Sequence, residues 1–348
     1  MRSLDFLLLN NGNVESASDD DGDSSGDEDE QRPKRRRLNE SFGLFDDCPP
    51  FEGLSEYVRI VAGATLTACR ALRDDRCDIA INWTGGRHHA QRSAAAGFCY
   101  ISDIVLGINE LRRNPSSLPP NRKKIDRVLY IDFDVHHGDG VEAAFAGSKT
   151  VRTLSIHLHA PLFFPSTGRL SGKLTGPLNV ATRSGLNDES LLRLVDEVVL
   201  PALAKLDPDA VVMQQGVDGL AGDPVNEWNL SISGLGEAMR KILDVCGNRK
   251  VLLLGGGGYD SVNAARAWTY FTSIAVRRSS NHDEKAYSVS AVQLGRDLAV
   301  DSEIPTSIRH YRRFAPSFTL DVESGNRRDE NTEEKLLKIE AAFAGFRT

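Results

Sequence analysis

The chain has 348 residues, 40% of them hydrophobic, and a formal net charge of −7, which is enough sequence for one large domain or two of ordinary size. Asp5 interrupts the N-terminal apolar run and no segment approaches the roughly 20 uncharged residues of a membrane span, so we expect a soluble protein that is not secreted. The five cysteines form no C-x-x-C pair, which argues against a disulfide framework or a cysteine zinc site and fits a reducing compartment.

Residues 1–41 have the composition of a largely disordered N-terminal segment. They include an acidic run, DDDGDSSGDEDE at 19–30, and a basic cluster, RPKRRR at 32–37. The basic cluster is either a nuclear localisation signal or a solvated charge run, and its exposed setting favours the signal. The remainder carries a small net negative charge, which is not typical of a nucleic-acid-binding surface. We assign residues 42–348 to one folded domain.

Past residue 55, predicted strands and helices alternate along the chain. Short apolar runs predict strands at 78–83, 127–134, 150–157, 209–216 and 250–258. Amphipathic stretches predict helices at 55–73, 99–113, 189–206, 233–246 and 261–277. Nearly all-apolar strands between helices are typical of a parallel sheet covered on both faces, so the fold class is α/β.

Polar residues cluster where the predicted strands end. NWTGGRHHA, DFDVHHGD, QGVDGLAGD and GGGGY each follow one of these apolar runs. Ligands of such sheets bind beyond the carboxyl ends of the strands. These groups would therefore surround one crevice if the strands are neighbours.

Asp134, His136 and Asp218 are the candidate metal ligands. Two carboxylates and one imidazole leave a coordination position open, as in catalytic zinc sites, and this hard donor set also suits Fe²⁺ or another divalent ion. The alternative is that each carboxylate caps a helix N-terminus. Taken together, the three residues favour a metal.

His88 and His89 form a doublet after a Gly-Gly turn, with Asp132 and Asp139 available to orient the imidazoles for acid–base catalysis. A lone histidine would more often be a core residue. Tyr259, after four glycines, could donate its hydroxyl to a developing oxyanion. The glycines could instead bind phosphate, but GGGGYD lacks the Lys-Ser/Thr of a P-loop.

These segments resemble the class I zinc-dependent histone deacetylases. INWTGGRHHA, GFCY, DFDVHHGDGVE, FFPSTG, GVDGLAGDP and LGGGGY with ARAWTY are specific in combination, and the resemblance runs from about residue 40 to the C-terminus. It implies the arginase/deacetylase fold, a single α/β domain with an eight-stranded parallel sheet, and Zn²⁺ held by Asp134, His136 and Asp218. It also implies His88–Asp132 and His89–Asp139 dyads, with His89 as the acid–base, His88 chiefly electrostatic and Tyr259 clamping the amide oxygen.

The resemblance further implies a substrate channel and a second metal. Gly97, Phe98 and Phe164 match the wall of the acetyl-lysine tunnel, Asp47 the aspartate that grips the substrate backbone, and Val225 an apolar rim position. Without the resemblance, core packing would be preferred for the two phenylalanines. A structural K⁺ ion would use Asp132, Asp134, His136 and Ser155, with backbone oxygens including that of Ile156.

The sequence departs from the family at three places. The family's domain starts further upstream, so its first strand, early helices and an arginine near the foot of the channel are missing, as in a truncated gene model or an impaired variant. Pro224 and Val262 stand where corepressor-dependent members carry inositol-phosphate-binding arginines. Val225 stands where polyamine-preferring relatives carry a glutamate, which favours a protein substrate.

The sequence therefore predicts a zinc-dependent protein lysine deacetylase that acts on histone tails, represses transcription and is found in the nucleus, with the cytoplasm also compatible. Its expected partners are acetylated histone tails or other acetyl-lysine proteins and a corepressor complex, with no direct nucleic-acid or membrane partner. Two alternatives stay open. One is a catalytically impaired scaffold of a repressor complex, and the other is an amidohydrolase of small acetylated amines.

Overall fold

The computed structural model of the chain describes residues 37, 39–115, 123–280 and 298–347. The acidic run and all but the last residue of the basic cluster lie outside these described residues, so the disorder expected there stays a prediction. Residues 39–41, at the end of the N-terminal segment, are helical. The domain boundary at residue 42 likewise stays a prediction.

One sheet of seven strands runs through the described part of the chain, in the order β1-β7-β6-β2-β3-β5-β4. Neighbouring strands are parallel, except that β4 runs antiparallel to β5. The strands are β1 (Ile79–Asn82), β2 (Val128–Asp132), β3 (Val151–Leu158), β4 (Ser171–Gly172), β5 (Leu178–Thr182), β6 (Ala210–Gln214) and β7 (Lys250–Leu254). Every residue of β2, β5, β6 and β7 is buried, as expected for a sheet covered on both faces.

Besides the helical residues 39–41, eight α-helices in the described residues pack around this sheet. They are α1 (Leu54–Arg73), α2 (Asp103–Leu111), α3 (Asp139–Phe145), α4 (Asp188–Leu194), α5 (Leu200–Leu206), α6 (Ile232–Cys246), α7 (Ser261–Ser280) and α8 (Glu333–Ala342). A π-helical turn, Val195–Val199, joins α4 directly to α5. The side chains of Ser102, Asn187 and Ser231 accept backbone N–H groups at the starts of α2, α4 and α6, which fixes where these helices begin.

Alternate residues of the central strands enter two separate cores on opposite faces of the sheet. Leu129 and Ile131 of β2 belong to the larger core, together with residues of α4 to α8. Val128 and Tyr130 of the same strand belong to the second core, with residues of α1, α2 and α3. This period of two follows from strand geometry, in which successive side chains point to opposite faces. Because each central strand serves both cores, the strand ends are held rigidly.

The register of the central strands positions the polar loops. Asp132, the last residue of β2, lies opposite Gln214 of β6 and Ser155 of β3. The carboxyl ends of β2, β6 and β7 therefore meet at one edge of the sheet. The loops that begin there carry most of the residues that the sequence analysis selected.

The predicted α/β class, with a parallel sheet covered on both faces, is confirmed. The helix predicted at 99–113 begins only at Asp103, because Ser102 caps it. The sequence analysis did not predict α3, β4, β5 or α8, and the described sheet has seven strands where the resemblance implied eight. The five cysteines are all free, as expected. No helix in the described ranges is long and apolar enough to cross a membrane.

Candidate metal centre and active site

Three side chains with metal-binding atoms converge beyond the carboxyl ends of β2 and β6. Asp134 and His136 follow β2, and Asp218 follows β6. His136 Nδ1 lies 3.0 Å from Asp134 Oδ1 and 3.0 Å from Asp218 Oδ2. One ligand atom from each residue lies within 4.8 Å of the other two. The predicted ligands thus form one buried cluster.

The chemistry of this cluster fits a divalent cation. Asp134 and Asp218 are 1% and 0% exposed, so two carboxylates are enclosed side by side. Burial opposes the ionisation of Asp134, but His88 and His136 hold its pKa well below the usual range. Burial and then the charge of Asp134 raise the pKa of Asp218 to about 7. A cation among these donors would relieve that repulsion, and two oxygens with one imidazole nitrogen suit Zn²⁺ or Fe²⁺.

Backbone and amide donors hold the two carboxylates in place, and the sequence analysis missed them. Asp134 Oδ2 accepts hydrogen bonds from Gln214 Nε2 at 2.9 Å and from Gly257 N at 2.7 Å. Asp218 Oδ1 accepts one from Val135 N at 3.0 Å. Such contacts orient the ligand oxygens before a metal binds. For the Gln214 donor the sequence did offer a signal, namely a polar residue at the end of an apolar strand.

His88 and Asp132 form the inner dyad of the site. His88 Nδ1 lies 2.8 Å from Asp132 Oδ2, which also accepts the Tyr130 hydroxyl at 2.7 Å. His88 Nε2 lies 3.7 Å from Asp134 Oδ1. Burial would lower the pKa of His88, but Asp134 and Asp132 outweigh it and raise that pKa to about 9. Without a metal, His88 is therefore a cation at neutral pH.

His89 and Asp139 form the outer dyad, at the start of α3. His89 Nδ1 lies 2.8 Å from Asp139 Oδ1, and Gln91 Nε2 donates to Asp139 Oδ2 at 2.8 Å. Burial and the positive charge of His88 lower the pKa of His89 to about 4. The two imidazoles, with ring centroids 3.9 Å apart, thus differ in protonation. A neutral imidazole with an orienting carboxylate has the form of a general base.

Tyr259 lies after β7 with its hydroxyl available to a ligand. The Tyr259 backbone N donates to Asp223 Oδ2 at 2.7 Å, which fixes the residue, while its side chain is 44% exposed. Within the described residues its hydroxyl has no hydrogen-bond partner. Burial, followed by the carboxylates of Asp134 and Asp218, raises its pKa, so the hydroxyl keeps its proton. The residue is a neutral donor beside the metal cluster.

Aromatic rings flank His136, a residue of the metal cluster, and His89 of the outer dyad. Phe163 stacks on His136 with centroids 5.0 Å apart, and Phe164 meets His89 edge-on at 4.8 Å. Phe98 lies edge-on to Tyr259 at 6.1 Å. Phe98 and Phe164 are 56% and 41% exposed, which does not fit the core-packing alternative. Their exposed faces support the predicted channel.

Gly97 permits the close approach of this wall to His89. A Cβ atom there would lie 2.4 Å from His89 Cδ2 and 2.9 Å from Phe164 Cε1. Gly97 also has φ +55°, in the region that favours glycine. The channel wall therefore depends on a residue without a side chain at this position.

Comparison with known proteins agrees with this geometry. Residues 14–275 match the family described as Histone deacetylase domain. This chain belongs to the histone deacetylase family. It is 38% identical over 309 residues to Histone deacetylase 8 of Xenopus tropicalis, covering 87% of this chain and 75% of that protein. It is 40% identical over 244 residues to Histone deacetylase HOS1 of Saccharomyces cerevisiae, covering 70% of this chain and 50% of that protein.

The family resemblance drawn from the sequence is thereby confirmed, and the chain is a hydrolase of the histone deacetylase type. The family match begins at residue 14, within the N-terminal segment, and ends within α7. Probable histone deacetylase 1-A of Xenopus laevis is similar as well, with 37% identity over 308 residues that cover 86% of this chain and 56% of that protein.

Two further residues that the resemblance implied for this deacetylase form hydrogen bonds with residues of the site. Asp47 Oδ2 accepts a hydrogen bond from Gly97 N at 2.7 Å. Val225 N donates to Asp223 Oδ1 at 2.9 Å, and the other oxygen of Asp223 holds Tyr259. The substrate-binding roles of Asp47 and Val225 stay predictions.

The residues expected to hold potassium also lie together. The register sets Asp132 opposite Ser155, and Ile156 follows in β3. Asp132 Oδ1 accepts a hydrogen bond from Asp134 N at 3.1 Å, while Ser155 Oγ lies 2.9 Å from His157 Nδ1. A potassium ion at this position stays a prediction.

His137 is a buried residue to which the sequence analysis gave no role. Its Nδ1 lies 2.7 Å from Thr167 Oγ1 and its Nε2 lies 2.8 Å from Glu142 Oε2. Glu142 belongs to α3, and Thr167 belongs to the loop that carries Phe163 and Phe164. His137 therefore ties the metal-binding loop to the aromatic wall. The second histidine of DFDVHHGD was the signal for it.

Proposed function

We propose that this deacetylase is a zinc-dependent enzyme that hydrolyses acetyl-lysine amides of proteins, with histone tails as the substrate. One observation carries the proposal: the buried Asp134–His136–Asp218 cluster lies next to a neutral His89 and an exposed aromatic wall. Phe98 and Phe164 offer apolar surface to the uncharged stem of an acetylated lysine.

The chain's own residues account for the proton transfers of such a hydrolysis. When bound, the zinc ion would polarise the amide carbonyl and lower the pKa of a water molecule. His89, oriented by Asp139, would accept the proton of the attacking water and return it to the leaving lysine amine. Tyr259 would donate its hydroxyl to the developing oxyanion, and His88, oriented by Asp132, would contribute electrostatic stabilisation. The products are a lysine side chain and acetate.

The test is turnover of a fluorogenic acetyl-lysine peptide by the purified chain, before and after treatment with a chelator. We expect turnover that the chelator abolishes and that added Zn²⁺ restores, with Fe²⁺ compared in parallel to identify the metal. An acetylated polyamine serves as the small-amine control and should be a poorer substrate. A chain that binds zinc fully but hydrolyses neither substrate would instead support the scaffold alternative.

The nuclear location and the role in repression extend this proposal. They are supported by the basic cluster at 32–37 and by the similarity to histone deacetylases, whose substrates are chromatin proteins by name. A fluorescent fusion in which residues 34–37 are alanine should move toward the cytoplasm. Tethering the chain to a reporter promoter should lower transcription, and the same fusion with Asp134→Ala should not. Equal repression by both fusions would exclude deacetylation as its cause.

A further inference from the structure

A cavity of about 480 Å³ lies between α2, α3 and the first described turn of the chain. We call it the α2–α3 cavity. Its walls include Phe42 and Leu44 from the first turn, Val105 and Leu106 from α2, and Ala143 of α3. Its volume falls in the range of sites that hold a ligand or a short peptide. It is separate from the metal cluster, whose three residues do not line it.

Most of the residues that line the α2–α3 cavity are apolar, and Gln91, Arg92, Ser93 and Ser102 form its polar part, so an apolar occupant is favoured. Leu106 is 38% exposed, although Ile104 and Ile108 of the same helix are 0% exposed. The residues that α3 contributes to the wall are Gly140, Ala143 and Ala144, whose small size leaves the space unfilled. Apolar surface left in water costs about 25 cal/mol per Å². An apolar chain segment seated here would remove that cost.

The chain itself carries such a segment close to the cavity. Phe42 and Leu44 line the cavity, so the upstream segment is covalently tethered to the cavity wall. Upstream of Phe42 the sequence contains one apolar run, LDFLLL at 4–9, and residues 10–41 are mainly polar and charged. A random-coil connection of that length would span about 30 Å root-mean-square. Tethering of this kind gives an effective concentration on the order of mM.

We propose that residues 4–9 dock into the α2–α3 cavity of their own chain. The apolar side chains of LDFLLL would cover Leu106 and fill the space above Ala143 and Ala144, while the charged residues 19–37 would stay in water. The occupant is this segment rather than an unrelated partner, because it is apolar and is tethered to the cavity wall through Phe42.

Docking in the α2–α3 cavity would also affect the outer dyad of His89 and Asp139. Gln91 and Gly140 line the cavity. Gln91 Nε2 donates to Asp139 Oδ2, and Asp139 orients His89. A docked segment would therefore restrain Gln91 and, through Asp139, the imidazole of His89. This link rests on the proposed function, whereas the docking itself does not.

Cross-linking tests the docking in the full chain. In a Cys77→Ser background, we would pair Leu8→Cys with Leu106→Cys and compare it with a control that pairs Asn13→Cys with Leu106→Cys. Both pairs have nearly the same tether, so only docking distinguishes them. We expect the Leu8 pair to form an intramolecular disulfide at least about tenfold faster than the control.

The alternatives give different products. Equal rates for the two pairs would overturn the docking, and a disulfide-linked dimer would overturn docking in cis in favour of a second copy of the chain. This readout needs no turnover, so its failure is distinct from a failure of the proposed function.

A second pair of variants tests the link to His89. Leu7→Asp with Leu8→Asp should increase hydrogen exchange in α2 and α3 and lower kcat at unchanged metal content. The control, Ser16→Asp with Ser18→Asp, adds the same charge in the polar stretch and should change neither quantity. Increased exchange with wild-type kcat would overturn the link to the outer dyad, and unchanged exchange would overturn the docking.

Discussion

Replacing Tyr259 with phenylalanine removes one oxygen atom and isolates the proposed oxyanion donor. The Tyr259 hydroxyl has no hydrogen-bond partner within the described residues, and the residue is held instead through its backbone N on Asp223. Its removal should therefore change the free energy of unfolding by no more than about 0.5 kcal/mol. The Tyr259→Phe variant should keep both its Tm and its metal content.

The effect on the reaction should be much larger. Loss of one donor to a developing oxyanion typically lowers kcat by about 10²–10³, or about 2.7–4 kcal/mol. KM should change little, because the donor acts in the transition state rather than in the substrate complex. We would measure kcat, KM and Tm on one sample with the acetyl-lysine peptide.

Tyr100→Phe provides a matched control with the opposite expectation. The Tyr100 hydroxyl donates to Pro49 O at 2.7 Å, so its loss should destabilise the fold by about 0.5–1.5 kcal/mol. A Tyr259→Phe variant that melts early and turns over normally would behave like Tyr100→Phe. That result would refute the oxyanion role and return Tyr259 to a structural one.

Three further outcomes follow from the site and the cysteines. The Asp218→Asn variant should lose its bound metal on dialysis, whereas the control Asp196→Asn, at an exposed position, should retain it. A full metal content of Asp218→Asn in elemental analysis would contradict the ligand assignment. Burial raises the pKa of Cys99 from 9.0 to about 12. Between these two pH values the thiol of the unfolded chain loses its proton while the thiol of the folded chain keeps it. The free energy of unfolding should therefore fall as pH rises through this interval, by up to about 1.4 kcal/mol per pH unit. Urea unfolding at pH 8 and 10 should show a smaller loss for Cys99→Ser, and an identical loss would argue against the shifted thiol. Alkylation of the native chain at pH 8 should modify Cys77 first, because the other four cysteines are buried. Mass spectrometry would identify the modified cysteine, and modification of a buried cysteine before Cys77 would contradict this expectation.

The sequence was most informative where one strong pattern fixed the structure. Apolar runs such as AVVMQ and KVLLL predicted buried parallel strands, and the polar residues after them predicted the metal cluster. The short strand β4 and the helix α3 were missed, because two and seven residues are too few to show a period.

Local sequence patterns do not predict contacts between side chains that are far apart along the chain. The bond from Gln214 to Asp134 requires the register of β6 against β2, which no local pattern encodes. The different protonation of His88 and His89 likewise depends on which carboxylates surround each ring. Adjacent identical residues in a sequence give no sign of that difference.

The order of the strands has a consequence for how the chain is made. β1 is synthesised before the other described strands, yet its partner among them is β7, through pairs such as Ile79 with Val251. The edge of the sheet therefore cannot close until most of the chain has been synthesised, and nascent chains expose an apolar strand for that whole interval. Chains that stop before Lys250 should aggregate rather than fold, so premature termination would leave little protein to detect.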